Sequence, residues 1–237
     1  MDREIRKLLR CIVWDLHFAF RYNIIAVALV ITALYTLILK LVPGAGITEV
    51  LVTFIFTDPT MLGFIFIGAM VLFEKDANTL QALTVTPVKP WQYLWSKAIS
   101  LTLISLFCST CMAVIGHGFG INFGFFILAV LLSSFLFIFI GFIGVARVKT
   151  FNQYIIVIPL FMFPAIFPLA DFYGIFKSPL VYLVPTQGSL IIFRTAFETG
   201  RWWELFYATG ILLISVAFSY YYAKKYFLKY VVGKIKN

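Results

Sequence analysis

Along this chain, long apolar runs are separated by short polar connectors, and within the runs hydrophobic positions are continuous, not alternating. Runs near 20 residues are long enough for a helix to cross a hydrocarbon layer of roughly 30 Å. Continuity excludes a β-barrel, whose strands alternate with period two. The pattern predicts an all-α polytopic membrane protein with six transmembrane helices, at about 23–41, 59–73, 98–115, 125–145, 154–169 and 205–222. They form a single transmembrane domain covering residues 1–237, with no internal repeat and no low-complexity linker.

The connectors sharpen the picture. Before the first span, Ile5, Leu8, Leu9, Ile12, Val13, Leu16 and Phe20 recur at helical spacing, opposed by Arg3, Arg6, Lys7 and Arg10. This predicts an amphipathic helix lying in the membrane interface, with Trp14 and Tyr22 as anchors. Pro43-Gly44-Ala45-Gly46 ends the first span, and residues 47–57 are apolar but short. Asp58 before Pro59 reads as a helix cap; an acid at membrane depth also admits proton or cation coupling. Pro159, Pro164 and Pro168 predict a kinked or broken fifth span. Residues 180–193 are apolar but interrupted by Pro185-Thr186-Gln187-Gly188. Two half-helices are expected there, with Pro185 and Gly188 supplying the break of an outer re-entrant hairpin between spans 5 and 6.

Charge sets the orientation. Charged residues are only 12% of the chain, and the net charge is +9. Fifteen of the nineteen Lys and Arg fall in the termini and two connectors that the six spans place on one side. Lys40, Lys177, Arg194 and Arg201 fall on the other. The bias predicts cytoplasmic termini in a multi-pass protein of the cell membrane. The basic residues are then accounted for by topology and lipid headgroups, so no nucleic-acid partner is expected. With Cys11 facing the cytoplasm and Cys108 and Cys111 within a span, no structural disulfide is expected.

One connector is different in kind. Residues 74–97, EKDANTLQALTVTPVKPWQYLWSK, carry charge, amides, hydroxyls and two prolines between two apolar runs. The stretch predicts a short helix over 74–83 with Leu80 and Leu83 on one face, a turn before Pro87, and a new helix near Pro90. Such a polar elbow on the basic side is placed to be gripped by a soluble partner.

In the order Glu74, Asp76, Thr79, Leu80, Leu83, Pro87 and Lys97, this stretch resembles the segment between the second and third spans of ABC type-2 export permeases. The layout of spans and the outer hairpin are similar too, and the small size resembles the drug-export group, of which fluoroquinolone exporters are one branch. The resemblance implies that the segment is a coupling helix docking on a separate ABC ATPase subunit, with Glu74, Asp76, Asn78, Thr79, Leu80, Leu83 and Pro87 as its contact residues. It further implies a second permease chain, in a homodimer or a heterodimer, and direction outward. ATP and Mg would be bound by the partner, leaving no cofactor in this chain.

The remaining chemistry agrees. No phosphate-cradling G-x-x-x-x-G-K-[ST], G-x-S-x-G or H-E-x-x-H occurs. Cys108-Ser109-Thr110-Cys111 has C-x-x-C spacing but stands alone in an apolar helix, where packing explains it. His17 and His117 are too distant for a metal site, and no catalytic set is expected. The 27 Phe, 12 Tyr and 5 Trp fit lipid-facing belts, or an aromatic path for an amphipathic drug or lipid. The reading is thus the membrane-spanning subunit of an ATP-driven exporter, with an intramembrane lipid-modifying enzyme and an accessory membrane anchor as rivals.

Overall fold

The computed structural model describes residues 3–41, 47–57, 62–77, 79–80, 86, 88–198 and 200–232. Every regular element among them is helical: α1 (Arg3–Arg21), α2 (Ile24–Leu41), α3 (Ile47–Ile55), α4 (Leu62–Asp76), α5 (Pro90–His117), α6 (Phe123–Arg147), α7 (Phe151–Ile166), α8 (Pro168–Phe172), α9 (Pro185–Phe197) and α10 (Trp202–Phe227). A 3₁₀ turn at Pro179–Leu183 precedes α9, and a π turn at Leu228–Val232 extends α10. Five stretches are long and apolar enough to cross a membrane: α2, α5, α6, α7 with α8, and α10 with its extension.

The helices begin where local chemistry supplies partners for their free N–H groups. Pro90 opens α5 at a position whose missing donor costs nothing, and the Gln92 side chain accepts from the Lys89 N–H at 2.8 Å. That start lies eight residues before the expected span, so Lys97 sits inside the helix. The Asn122 side chain caps α6 and the Thr150 hydroxyl caps α7. Pro159 and Pro164 fall within α7, which runs through both and ends before Pro168, where α8 begins. The last helix runs past the expected end of the sixth span at 222, and the chain stays helical as far as Val232.

α6 is the centre of the bundle, packed on α4, α5, α9 and α10. Its contact with α4 depends on absent side chains. A Cβ at Gly141 would lie 2.4 Å from Ile67 Cγ2, and one at Gly63 2.9 Å from Ile138 Cγ1. A Cβ at Gly68 would lie 1.9 Å from the ring of Tyr154, a fully buried α7 residue whose hydroxyl donates to the Phe64 carbonyl at 2.6 Å. Small residues let the backbones approach closely where lipid provides no hydrophobic drive between helices.

The short apolar stretch at 47–57 is not a surface connector. Leu51 of α3 reaches Gly116 at the end of α5, and Phe56 packs edge-on against Phe137, half-way along α6. α4 resumes at that same level, with Gly63 on Ile138. It ends where Lys75 Nζ donates to the carbonyls of Val145 and Val148, each at 2.9 Å. α3 and α4 thus trace one path between the two ends of the bundle in two halves. Asp58 and Pro59, expected at the cap, lie outside the described residues.

Candidate functional site

Two ends of the bundle carry the polar groups. At the α1 end, three helices meet around Lys97, whose side chain is fully buried. Its Nζ donates to Asp15 Oδ1 on α1 at 2.9 Å and to Glu74 Oε1 in the last turn of α4 at 2.5 Å. Tyr93, one turn before Lys97 on α5, donates its hydroxyl to Glu74 Oε2 at 2.6 Å, and its ring lies 4.8 Å under the ammonium. Tyr93 also stacks on Phe227 near the end of α10, which draws a fourth helix into the cluster. Buried charge persists only where it is paired and hydrogen-bonded. The arrangement therefore ties α1, α4, α5 and α10 into one unit at this end.

A second tether runs alongside. Gln92 Nε2 donates to the backbone carbonyl of Glu4 at 3.2 Å and to its carboxylate at 3.0 Å, and Lys89 Nζ pairs with the same carboxylate at 3.2 Å. The hydrogen bond from Lys89 holds the Glu4 carboxyl below its ordinary range. α1 presents three faces. Glu4, Cys11, Asp15 and Ala19 turn toward α5; Ile5, Leu9, Val13 and Phe20 are exposed as an apolar stripe; Arg3, Arg6, Arg10 and Arg21 occupy the rest. Burial raises the Cys11 thiol above its usual range. Sequence reasoning took the apolar stripe as the defining face of α1 and missed Asp15. The available signal was an acid one turn from Cys11 and Ala19, the face that also carries Glu4, on a helix whose remaining charges are basic, together with Lys97 at the head of an apolar run.

The structure divides the residues of the elbow. Glu74 belongs to α4 and points inward to Lys97. Asp76 and Thr79 are exposed, and the Thr79 hydroxyl donates to the Glu74 carbonyl at 3.0 Å. Leu80, offered by the sequence as part of an outward ridge, is 5% exposed and belongs to the chain's own core. Asn78, Leu83 and Pro87 lie outside the described residues.

At the opposite end, the segment between α8 and α10 holds the 3₁₀ turn and α9. Its break falls at Val184, between the 3₁₀ turn and α9, and Pro185 occupies the first helical position. Gly188 is not part of the break. It sits one turn into α9 and packs on α10, where a Cβ would lie 2.9 Å from the Ala208 carbonyl. The other end of α9 meets the loop between α5 and α6, where the Asn122 N–H donates to the Ala196 carbonyl and His117 packs edge-on to Phe197. The Thr186 hydroxyl donates to the Ala165 carbonyl of α7 at 2.9 Å, and Gln187 Nε2 to Asp171 Oδ2 of α8 at 3.0 Å.

Residues 6–235 match the fluoroquinolones export permease protein family. The fluoroquinolones export permease proteins of two Mycobacterium tuberculosis strains, CDC 1551 / Oshkosh and ATCC 25618 / H37Rv, are each 32% identical over 181 residues. That alignment covers 75% of this chain and 76% of each relative.

Proposed function

Because the chain belongs to the fluoroquinolones export permease protein family, we propose that it is the membrane-spanning subunit of an ATP-driven type-2 exporter. Its substrate is an amphipathic molecule, a drug or lipid, moved out of the cytoplasm or the inner leaflet; its relatives are named for fluoroquinolones. A separate ABC ATPase subunit binds ATP and Mg, and a second permease chain completes the path, either a copy of this one or a different one. Six crossings are made by α2, α3 with α4, α5, α6, α7 with α8, and α10. The termini face the cytoplasm, the exposed apolar stripe of α1 rests in the interface, and the α9 hairpin re-enters from outside.

Coupling passes through the polar elbow. Asp76, the last residue of α4, and Thr79 beyond it are exposed, and with Asn78, Leu83 and Pro87 they are assigned the contact with the ATPase. The buried cluster around Lys97 carries this reading. It fastens both limbs of the elbow, α4 and α5, to α1 and α10, so a displacement of the elbow moves four helices together. A loose loop would absorb the same displacement. Leu80 is the anchor that seats the elbow on the permease, and Glu74 is its inward strut.

The test is capture of the tagged chain from its own membranes, followed by efflux of norfloxacin from cells. The unmodified chain is expected to bring an ATPase with it, and efflux is expected to stop when ATP is depleted. Asp76→Arg with Thr79→Arg should leave the permease inserted while reducing ATPase capture and efflux about tenfold or more, the loss typical of an interface centre. Absence of any ATPase with the unmodified chain would overturn the reading.

A further inference from the structure

Between α8, α9 and the start of α10, at the end opposite Lys97, lies a cleft of about 500 Å³ that the coupling scheme does not use. Its size falls in the range of small-molecule sites. Three carboxylates (Asp171, Glu198, Glu204) and two guanidiniums (Arg194, Arg201) line it, beside Phe172 and Tyr182. Arg194 and Glu198 pair with each other at 3.1 Å. That leaves Asp171, Glu204 and Arg201 outside any ion pair among the described residues.

Gln187 makes this more than a charged surface. It is 5% exposed, its amide nitrogen is committed to Asp171, and its Oε1 is buried with no partner among the described residues. A buried acceptor without a donor is rare, because desolvating it without compensation is costly. The position calls for an N–H donor arriving from the cleft. With one carboxylate more than guanidiniums, the lining favours a group bearing positive charge, and the aromatic Phe172 and Tyr182 in the same lining suit an ammonium. Arg201 supplies the complement for an anionic group on the same molecule.

We propose that this cleft binds an organic zwitterion, its ammonium held by Asp171, Glu204 and Gln187 Oε1 and its carboxylate or phosphate by Arg201. The inference rests on the exporter reading for its place on the outer side, where it is a release station for a zwitterionic substrate or a seat for a zwitterionic phospholipid headgroup. The two sources share their chemistry and differ in what displaces them.

The experiment uses the full chain in nanodiscs of phosphatidylglycerol alone. Norfloxacin, which carries both an amine and a carboxylate, is titrated by its own fluorescence, against nalidixic acid, which lacks the amine. Norfloxacin is expected to bind saturably and to weaken about tenfold or more in Asp171→Asn with Glu204→Gln, the loss expected for a charge-assisted contact. Nalidixic acid should bind more weakly and change little, and Lys177→Gln, an exposed charge on the same end outside the cleft, should change neither. If the double variant melts early, Glu204→Gln alone carries the comparison. Phosphatidylethanolamine added to the discs should compete with norfloxacin if the headgroup is the occupant, and leave it unaffected if the site serves substrate; either supports a zwitterion site. Equal norfloxacin binding by wild type and variants, or no saturable binding with or without phosphatidylethanolamine, overturns it. If ATP-dependent efflux persists alongside such a failure, the exporter reading stands and only the cleft assignment falls.

Discussion

Replacing Lys97 with Met removes the one cation that faces two buried carboxylates. The Asp15 and Glu74 side chains are 11% and 14% exposed, and Lys97 itself is fully enclosed. Methionine fills nearly the same volume, so the loss is electrostatic and no cavity is opened. Removing one partner of a buried ion pair costs about 3–5 kcal/mol, because the opposite charge stays buried. For a chain of this length each kcal/mol shifts the midpoint by roughly 2–4 °C, so thermal unfolding in detergent should fall by roughly 6–20 °C. Since Asp15 is the α1 contact, α1 should loosen first. Cys11, half-buried on the same face, should then react with maleimide several-fold faster than in the wild type. A compensated variant separates charge from packing: Lys97→Met, Asp15→Leu, Glu74→Met and Tyr93→Phe together leave neither charge nor hydroxyl unpaired. It should recover to within about 1–2 kcal/mol of the wild type, as apolar replacement of buried ion clusters does elsewhere. A midpoint drop under 2 °C for Lys97→Met, or a compensated variant no more stable than the single one, would refute the reasoning.

Three further outcomes are expected. Gly68→Ala places a methyl inside the Tyr154 ring position and breaks the hydroxyl's bond to Phe64; it should destabilise by about 2–4 kcal/mol in the same unfolding assay. Gly188→Ala pushes α9 off the Ala208 carbonyl and should cost about 1–3 kcal/mol, with no effect on ATPase capture. In a cysteine-free background, single cysteines at Gly120 and Gly174 should label from outside intact cells with an impermeant thiol reagent, and one at Asn78 should not; labelling at Asn78 would sink the six-crossing topology.

How much the sequence made legible follows from what each residue has to satisfy. The five long helices were readable because lipid-length apolar runs have few alternatives, and their ends differ from expectation by the extra turns that begin at Pro90 and that carry α10 past residue 222. The halves α3 and α4 were not readable as one path. Each is shorter than a span, and only packing on Phe137 and Ile138 reveals that they meet at one level. At the elbow, the sequence set residues 74–97 apart but could not tell inward from outward. Glu74 and Asp76 look alike in the chain, yet one faces Lys97 and the other is exposed, a difference fixed by about half a turn of α4. Leu80 and Gly188 were misleading for the same reason. An apolar residue in a polar stretch, or a glycine beside a proline, has a local reading and a tertiary one, and here tertiary packing prevails.

The central claim is that the exposed residues of the elbow contact a separate ATPase. It is tested most directly by placing a photo-crosslinking amino acid at Asp76 or at Thr79 and irradiating native membranes. The account predicts a covalent adduct between this chain and a nucleotide-binding subunit from both positions, and none from a control at Lys177 on the opposite end. Adducts to lipid alone from both positions, in membranes where the ATPase is present and captured with the chain, would contradict it.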